Sequence, residues 1–592
     1  MEIAYVVRAA TPTEHRARVS IDLDGVSSRT LDLVLPSWVP GFYTIFNFSR
    51  GVRDLTTRRE PDGASLSTER VGKARWRIST EGASRVHVEY TVYAHQLGTT
   101  EGFDLTPQHM FLNPGVCLPY VDGHLAEPAT VALDVPADWM VITELEEVRR
   151  VPPQYRARNY DELVDSPIDA GRPVVLTVRP KGIPHRISLC GDGGNYDTRT
   201  LEEDISKIVE ASVALVGDSP PIPRFTFFLH LTSGPEDGLE HAFSTSIVTD
   251  RNCFRPAESY RNFLYLAAHE YFHLYNVKRI RPKVLGPFDY TRENYTRLLW
   301  WMEGATRYFS YLVLRRAGVF TAEQYLEQCA RTIKEYLETP GRNRISLEES
   351  SILAWIEYEQ PFEETPNQSV SYYTKGDLVS MCLDLEIRHQ SEARSSLETV
   401  LRLLWNEYGK VGRGLEEDEL LPVVNRATGL DLHSFFDRYV RGTEELDLAA
   451  FARYAGLVLA PKAKGPDEKH EPEPGDLGVA VEDAGGLARV RYSFAGRPGH
   501  TAGLTPGDEI IAINDVKVTY ANLDKTLEKC PAGTLVDLTV FRRGYLHRVP
   551  LVTGALPPRK YAFTPMDSPS EPARKVYESW IGTKWVPRPT PP

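Results

Sequence analysis

Cysteine is scarce in this 592-residue chain. There are six, Cys117, Cys190, Cys253, Cys329, Cys382 and Cys530, and none forms a C-x-x-C pair. That scatter argues against a disulfide framework and against a structural zinc site, and it predicts buried free thiols in a reducing compartment. Positive charge is also short. Sixty-eight Lys and Arg stand against 81 Asp and Glu, a formal net charge of −13. Nucleic acid and anionic membranes both need a basic face, so neither is expected as a partner. No apolar run reaches the length of a membrane span. The opening residues, MEIAYVVRAATPTEHRARVSIDLDG, lack the basic segment and apolar core of a secretory leader and begin at once with strand-like alternation. These absences together predict a cytoplasmic protein. The rest is ordinary for a globular chain, with 42% hydrophobic and 25% charged residues. The length calls for about three or four domains.

Against that background one stretch stands out, His269-Glu270-Tyr271-Phe272-His273. The residues before it, Tyr260 to Ala268, contain no Gly or Pro and place Phe263, Leu264, Leu266 and Ala267 at helical spacing. Two histidines four apart fall on one helix face, one turn apart, where both imidazoles can reach one zinc ion. The glutamate beside the first histidine is then placed as general base. The rival reading is a helix with two incidental histidines. A third ligand decides between them, because catalytic zinc takes three protein ligands and one open position. Glu303 lies inside an apolar segment, Leu298 to Thr306, where a carboxylate needs a charge partner. Zinc would be that partner. Glu293 competes, but its polar surroundings, Asp289 to Arg297, suit a solvated residue, so Glu303 is preferred.

The segments HEYFHLYNVKRIRP (His269 to Pro282) and LLWWMEGATRYF (Leu298 to Phe309) resemble the glycyl aminopeptidase family of zinc metallopeptidases. That family is a branch of the thermolysin-like enzymes with Glu as third ligand. The likeness extends, more distantly, to larger aminopeptidases with a W-x-x-E-G segment. One departure is Tyr275, where the family usually has Trp. Gly238-Leu239-Glu240-His241 resembles the family's G-L-E-H edge strand, which implies that Glu240 binds the substrate α-amino group. Asp237 stands where the family usually has Gly and adds a negative charge to that loop. His241 is a candidate for positioning Glu240 or the substrate. Tyr372-Tyr373-Thr374-Lys375-Gly376 resembles the segment carrying the superfamily's catalytic Tyr, which implies Tyr373, with Tyr372 as the alternative, as hydrogen-bond donor to the oxyanion.

Taken in order, the chain reads as a multidomain α+β protein. Residues 1–170 alternate apolar and polar positions between Gly, Pro and Asp turns and predict an antiparallel β-sandwich. Within them LPSWVPGFYTIFNFSRGV (Leu35 to Val52) is aromatic-rich, either a packed loop or a wall of the active site. Residues 171–330 predict a thermolysin-like α/β zinc peptidase domain, with an amphipathic helix around Leu201 to Leu215 and a buried strand at RFTFFLHLTS. Residues 331–460 predict a helical domain completing the cleft, and 461–475 a Pro-rich linker. In 476–554 the segment HTAGLTPGDEIIAIND resembles a PDZ domain, a module that binds an extended chain beside a strand or serves as a structural element. The tail, 555–592, is Pro-rich but keeps Tyr577, Trp580 and Trp585, which suits packing back on the body.

These readings combine into a zinc aminopeptidase with one zinc ion per chain. His269, His273 and Glu303 hold the metal, Glu270 is the general base, Tyr373 stabilises the oxyanion, and Glu240 holds the amine of a peptide with a free N-terminus. The resemblance implies a preference for small first residues, Gly or Ala. Two rivals stand beside it, a zinc endopeptidase whose PDZ-like module captures substrates and a non-catalytic peptide-binding scaffold. The sequence leaves the oligomeric state open.

Overall fold

Apolar–polar alternation becomes strand from the second residue onward. In a computed structural model, which describes residues 1–234, 236–358, 360–462 and 474–586, β1 (Glu2–Thr11) turns Ile3, Tyr5 and Val7 inward. β2 (Arg16–Asp24) does the same with Ala17, Val19, Ile21 and Leu23. Most of the linker expected at 461–475 lies outside the described residues. The chain divides into two units, one comprising Met1–Thr296, Phe309–Val319 and Leu401–Glu417, the other Arg297–Tyr308, Phe320–Val400 and Asp418–Pro592.

The first unit opens with a β-rich region. A seven-stranded sheet and a four-stranded sheet enclose a core that includes Tyr5, Val19, Leu33, Trp76 and Tyr90. The purely antiparallel expectation needs correcting. The strand Ala129–Asp134 runs parallel to β1, Ile3 opposite Ala129, so the larger sheet is mixed. More than a hundred residues separate these two strands, which is ample for the crossover that a parallel pair requires. A further five-stranded sheet contains β3 (Met110–Leu112) and β4 (Ile168–Gly171), paired antiparallel with Phe111 opposite Asp169.

The α/β part of this unit is built on a mixed sheet. Its order is Val174–Val178, β5 (His185–Cys190), β6 (Phe225–Thr232), β8 (Ser244–Asp250) and, at the edge, β7 (Asp237–Glu240). β5, β6 and β8 are parallel and buried nearly throughout, which is why RFTFFLHLTS is rich in apolar residues without strict alternation. The helix α1 (Thr198–Val216) starts at Asp197, whose side chain accepts from Thr200 N–H, and stops at Gly217 in the left-handed region, φ +83°. Glu144, only 2% exposed, bridges Arg186 of β5 at 2.6 Å and Arg224 just ahead of β6 at 2.5 Å. It ties the β-rich region to the start of both strands.

α2 (Ala257–Phe272) carries the H-E-x-x-H motif. Its early turns are partly exposed, but every residue from Ala267 to Phe272 is buried. α3 (Thr306–Arg316) packs on it within this unit through Phe272 on Phe309 and Tyr265 stacked on Tyr311 at 4.3 Å.

In the second unit, Trp300–Ala305 forms a wide helical turn of the π type. It crosses α5 (Tyr372–Gln390), which follows α4 (Ala322–Glu338) in the chain. α4 begins with a reciprocal capping box between Thr321 and Gln324, and α5 with Ser371 accepting from Tyr373 and Thr374 N–H. The tail returns to this body. Tyr561–Pro565 pairs antiparallel with Leu457–Pro461, and α6 (Glu571–Ile581) buries Trp580, whose indole donates to the Tyr308 hydroxyl at 3.1 Å. Residues 479–552 form a separately cored six-stranded sheet around Val490, Ile510, Val536 and Leu538.

Candidate active site

The two histidines occupy the end of α2. His273 is the capping residue, yet it keeps helical dihedrals, φ −58° and ψ −22°, so the one-turn spacing from His269 survives to the last position. Their Nε2 atoms are 3.0 Å apart in a buried setting. Two imidazole nitrogens this close require a proton or a cation between them. His273 Nδ1 lies 2.8 Å from the Asn276 carbonyl. That contact places the proton on Nδ1 and leaves Nε2 as a lone-pair donor. Glu303, 1% exposed, sits in the wide turn Trp300–Ala305. Two imidazole nitrogens so gathered fit two of the three protein donors that catalytic zinc takes. Glu293 lies in an irregular, half-buried segment.

The turn around Glu303 has an identifiable support. A Cβ on Gly304 would stand 2.5 Å from the Gly376 Cα, and one on Gly376 would stand 2.8 Å from the Trp300 carbonyl oxygen. The glycines of the E-G and K-G segments are therefore a single helix-crossing contact. Trp300 N–H donates to Ser351 Oγ at 3.0 Å, an extra partner beside the wide turn.

Glu270 is buried beside the edge strand. A Cβ on Gly238 would come within 2.4 Å of Glu270 Oε1, so glycine here is what admits the carboxylate. Two residues along β7, Glu240 is 3% exposed, and its Oε1 has no hydrogen-bond partner among the described residues. The aromatic loop expected as packing or wall closes on this carboxylate. A Cβ on Gly41, whose φ is +100°, would lie 2.7 Å from Glu240 Oε2. Trp38, Gly41, Tyr43, Glu240, Lys278 and Phe288 are among the residues lining a cavity of about 460 Å³.

Two charged residues here escaped the sequence reading. Lys278 Nζ is 2.8 Å from Asp165 Oδ1 and 3.8 Å from Glu240 Oε1. Asp165 also accepts from Ala242 N–H at 2.8 Å and meets His241 Nδ1 at 3.4 Å. Burial alone would raise the Asp165 pKa, but Lys278 and His241 outweigh it and hold it at about 2. His241 thus serves Asp165 rather than Glu240. Lys278 lies in the motif segment itself, whereas nothing local marks Asp165. The extra charge of Asp237 is taken up by Thr99, whose hydroxyl and N–H both donate to it. Tyr275 is a core residue, packed on Trp405 and donating to the Asp218 carbonyl at 3.1 Å.

Tyr373 is half-buried in the first turn of α5, stacked on Tyr358 with ring centroids 5.0 Å apart. Tyr372 is 2% exposed. Lys375 is fully buried, donates to the Arg342 carbonyl at 3.2 Å, and has its pKa lowered by burial to about 8.

Residues 262–379 match the family model of the M61 glycyl aminopeptidase, and residues 4–172 match that of the peptidase M61 N-terminal domain. No curated protein matches the sequence. The crystal structure of an aminopeptidase N family protein from Idiomarina loihiensis is 29% identical, with a TM-score of 0.90 over 98% of this chain and 100% of that one. That of an M1 zinc metallopeptidase from Deinococcus radiodurans is 14% identical, with a TM-score of 0.48 over 76% of this chain and 94% of that one. No helix is long and apolar enough to cross a membrane among the described residues. With the buried histidine pair, the family matches and the full-length likeness make this chain an enzyme, a metallopeptidase of the aminopeptidase kind.

Proposed function

We propose that the protein is a zinc aminopeptidase that removes single small residues, Gly or Ala, from peptides with a free N-terminus. The observation that carries this reading is Glu240, a buried carboxylate whose Oε1 accepts no hydrogen bond among the described residues and has Lys278 Nζ 3.8 Å away, on the edge strand that also brings Gly238 against Glu270. A cationic α-amine supplies the missing donor by a charge-assisted hydrogen bond, while the edge strand pairs with the substrate backbone. Binding at Glu240 fixes the first peptide bond near Glu270 and so limits cleavage to one residue. The description of the matched family supports the small first residue.

His269, His273 and Glu303 would hold one zinc ion. Bound there, zinc supplies Lewis-acid polarisation of the scissile carbonyl and acidifies water. Glu270 takes the proton of the attacking water and returns it to the leaving amine. Tyr373, nearer the surface than Tyr372, donates its hydroxyl to the developing oxyanion. The six-stranded module at 476–554 would act as a PDZ-like domain, with the sheet-edge strand Val479–Ala484 receiving an extended chain.

The test is a peptide library digested with and without chelator, beside N-acetylated copies, with cleaved ends read by mass spectrometry. Loss of single N-terminal residues, abolished by chelation and by acetylation, is expected. In Glu240→Gln, KM for free-amine peptides should rise more than kcat falls. Internal cuts indifferent to acetylation would replace this reading with an endopeptidase, and no cleavage with zinc bound would leave a scaffold.

A further inference from the structure

A second group of metal-type donors lies in the first unit, outside the residues assigned above. His109, Asp169, Cys190 and His230 bring one donor atom each within 4.8 Å of one another. The backbone sets this up. Cys190 and His230 are direct partners in the parallel pairing of β5 with β6. Asp169 lies on β4, opposite Phe111 of β3, and His109 immediately precedes β3. Two sheets thus contribute two donors each, all on or beside strands. Gly171 makes room for the His109 ring, since a Cβ there would meet its Cδ2 at 3.2 Å.

The contacts of this group centre on Asp169. His109 Nε2 shares a short hydrogen bond with Asp169 Oδ1. Cys190 Sγ donates to Oδ2 at 3.1 Å, and His230 Nε2 stands 3.8 Å from Oδ1. In a tetrahedral zinc site the ligand atoms are separated by roughly 3.3–3.6 Å, from metal–ligand bonds of about 2.0–2.3 Å. The observed spacings bracket that edge. His230 supplies the independent sign. It is 1% exposed, its ring packs on Phe111 at 4.5 Å between centroids, and neither of its nitrogens has a hydrogen-bond partner among the described residues. An imidazole buried so thoroughly with both nitrogens unmet is costly, and its Nε2 is on the Asp169 side of the cluster.

We propose that His109, Asp169, Cys190 and His230 form a second divalent-metal site, of the zinc class, that staples the sheet of β3 and β4 to the sheet of β5 and β6. The mixed nitrogen, oxygen and sulfur donors suit a borderline ion such as zinc over calcium or magnesium. All four protein positions are filled, as in structural rather than catalytic sites. On binding, the thiol proton of Cys190 passes to solvent and the metal takes the place of the hydrogen atoms now directed at Asp169.

The test uses the full chain, stripped with chelator and reloaded with Co²⁺ as the probe. A thiolate–cobalt charge-transfer band in the near ultraviolet is specific to this group, because the proposed catalytic ligands include no sulfur. The band is expected in the native chain and in His273→Ala, and it should vanish in Cys190→Ser. His230→Gln should lose about one bound metal per chain by elemental mass spectrometry. Circular dichroism and gel filtration identify any variant that fails to fold, and the native and H273A spectra decide the matter without C190S. A folded native chain with no such band overturns the proposal, as does a band that persists in C190S. Failure of the aminopeptidase reading would leave the band untouched.

Discussion

The two buried donor clusters are made by opposite means. In the first, His269 and His273 come from one helix turn, and the proposed third donor, Glu303, follows about thirty residues later on another helical segment. In the second, His109, Asp169, Cys190 and His230 come from four places spread over more than a hundred residues and meet only because two sheets do. The helical cluster has Glu270 beside it, held against an edge strand by Gly238, and a cavity nearby that contains Glu240. The strand cluster has a fourth protein donor and an aromatic ring against it, and the buried Asp104 carboxylate interacts with its two histidines. A helix end with spare acidic groups suits turnover, and a strand junction with every donor committed suits cohesion. The same residue types therefore acquire different work from the elements that carry them.

The contrast can be broken most directly at Glu270. Glu270→Gln should lower kcat/KM on the order of 10³–10⁴-fold while elemental analysis finds the metal content unchanged. Next in size is Glu144→Ala. It strands Arg186 and Arg224, partly buried at the start of the strands that carry Cys190 and His230, and should cost about 3–4 kcal/mol in denaturant unfolding. Equal loss in apo and metal-loaded chains would show that the strand junction stands without its metal. Gly238→Ala sharpens the helical side. The new methyl group must displace the Glu270 carboxylate, so kcat should fall about 10²-fold with the melting temperature nearly unchanged. The smallest effect is a pH dependence. The Asp165 pKa is depressed to about 2, so its carboxylate stabilises the fold above its ordinary value near 3.8, and that contribution disappears as pH falls through 4 toward 2. Its size is about 2 kcal/mol, and acid unfolding of Asp165→Asn beside the native chain should show the difference.

The helical cluster was legible because its spacing is local. A four-residue interval on one helix is written in the sequence, and Glu303 is conspicuous as a charge in an apolar segment. Gly238 and Gly376 were visible only as letters of a resemblance, and their physical reason, close approach to a carboxylate and to another helix, required the fold. The strand cluster left no local trace at all. His109, Asp169, Cys190 and His230 each sit in sequence that reads as ordinary strand or turn, and only the pairing of Cys190 with His230 and of Asp169 with Phe111 brings them together. The mixed β1 sheet was missed for the same reason, since alternation reports which face is buried and says nothing of a neighbour's direction. Asp165 and Lys278 show the limit from the side of charge, because a buried ion pair more than a hundred residues apart has no periodicity.

The wide turn at Trp300–Ala305 has one more consequence. Each residue of an ordinary helix advances the side-chain direction by about 100°, and a stretch with five-residue hydrogen bonds accommodates one residue beyond that rhythm. Glu303 therefore points where it does through a phase offset relative to α3, and the offset is a matter of count rather than of side-chain chemistry. Deleting any single residue of this turn other than Glu303 would rejoin the flanking turns in step and rotate the acid away from its present heading, even if every remaining side chain were unaltered. A scan of one-residue deletions would reveal this as no substitution scan could.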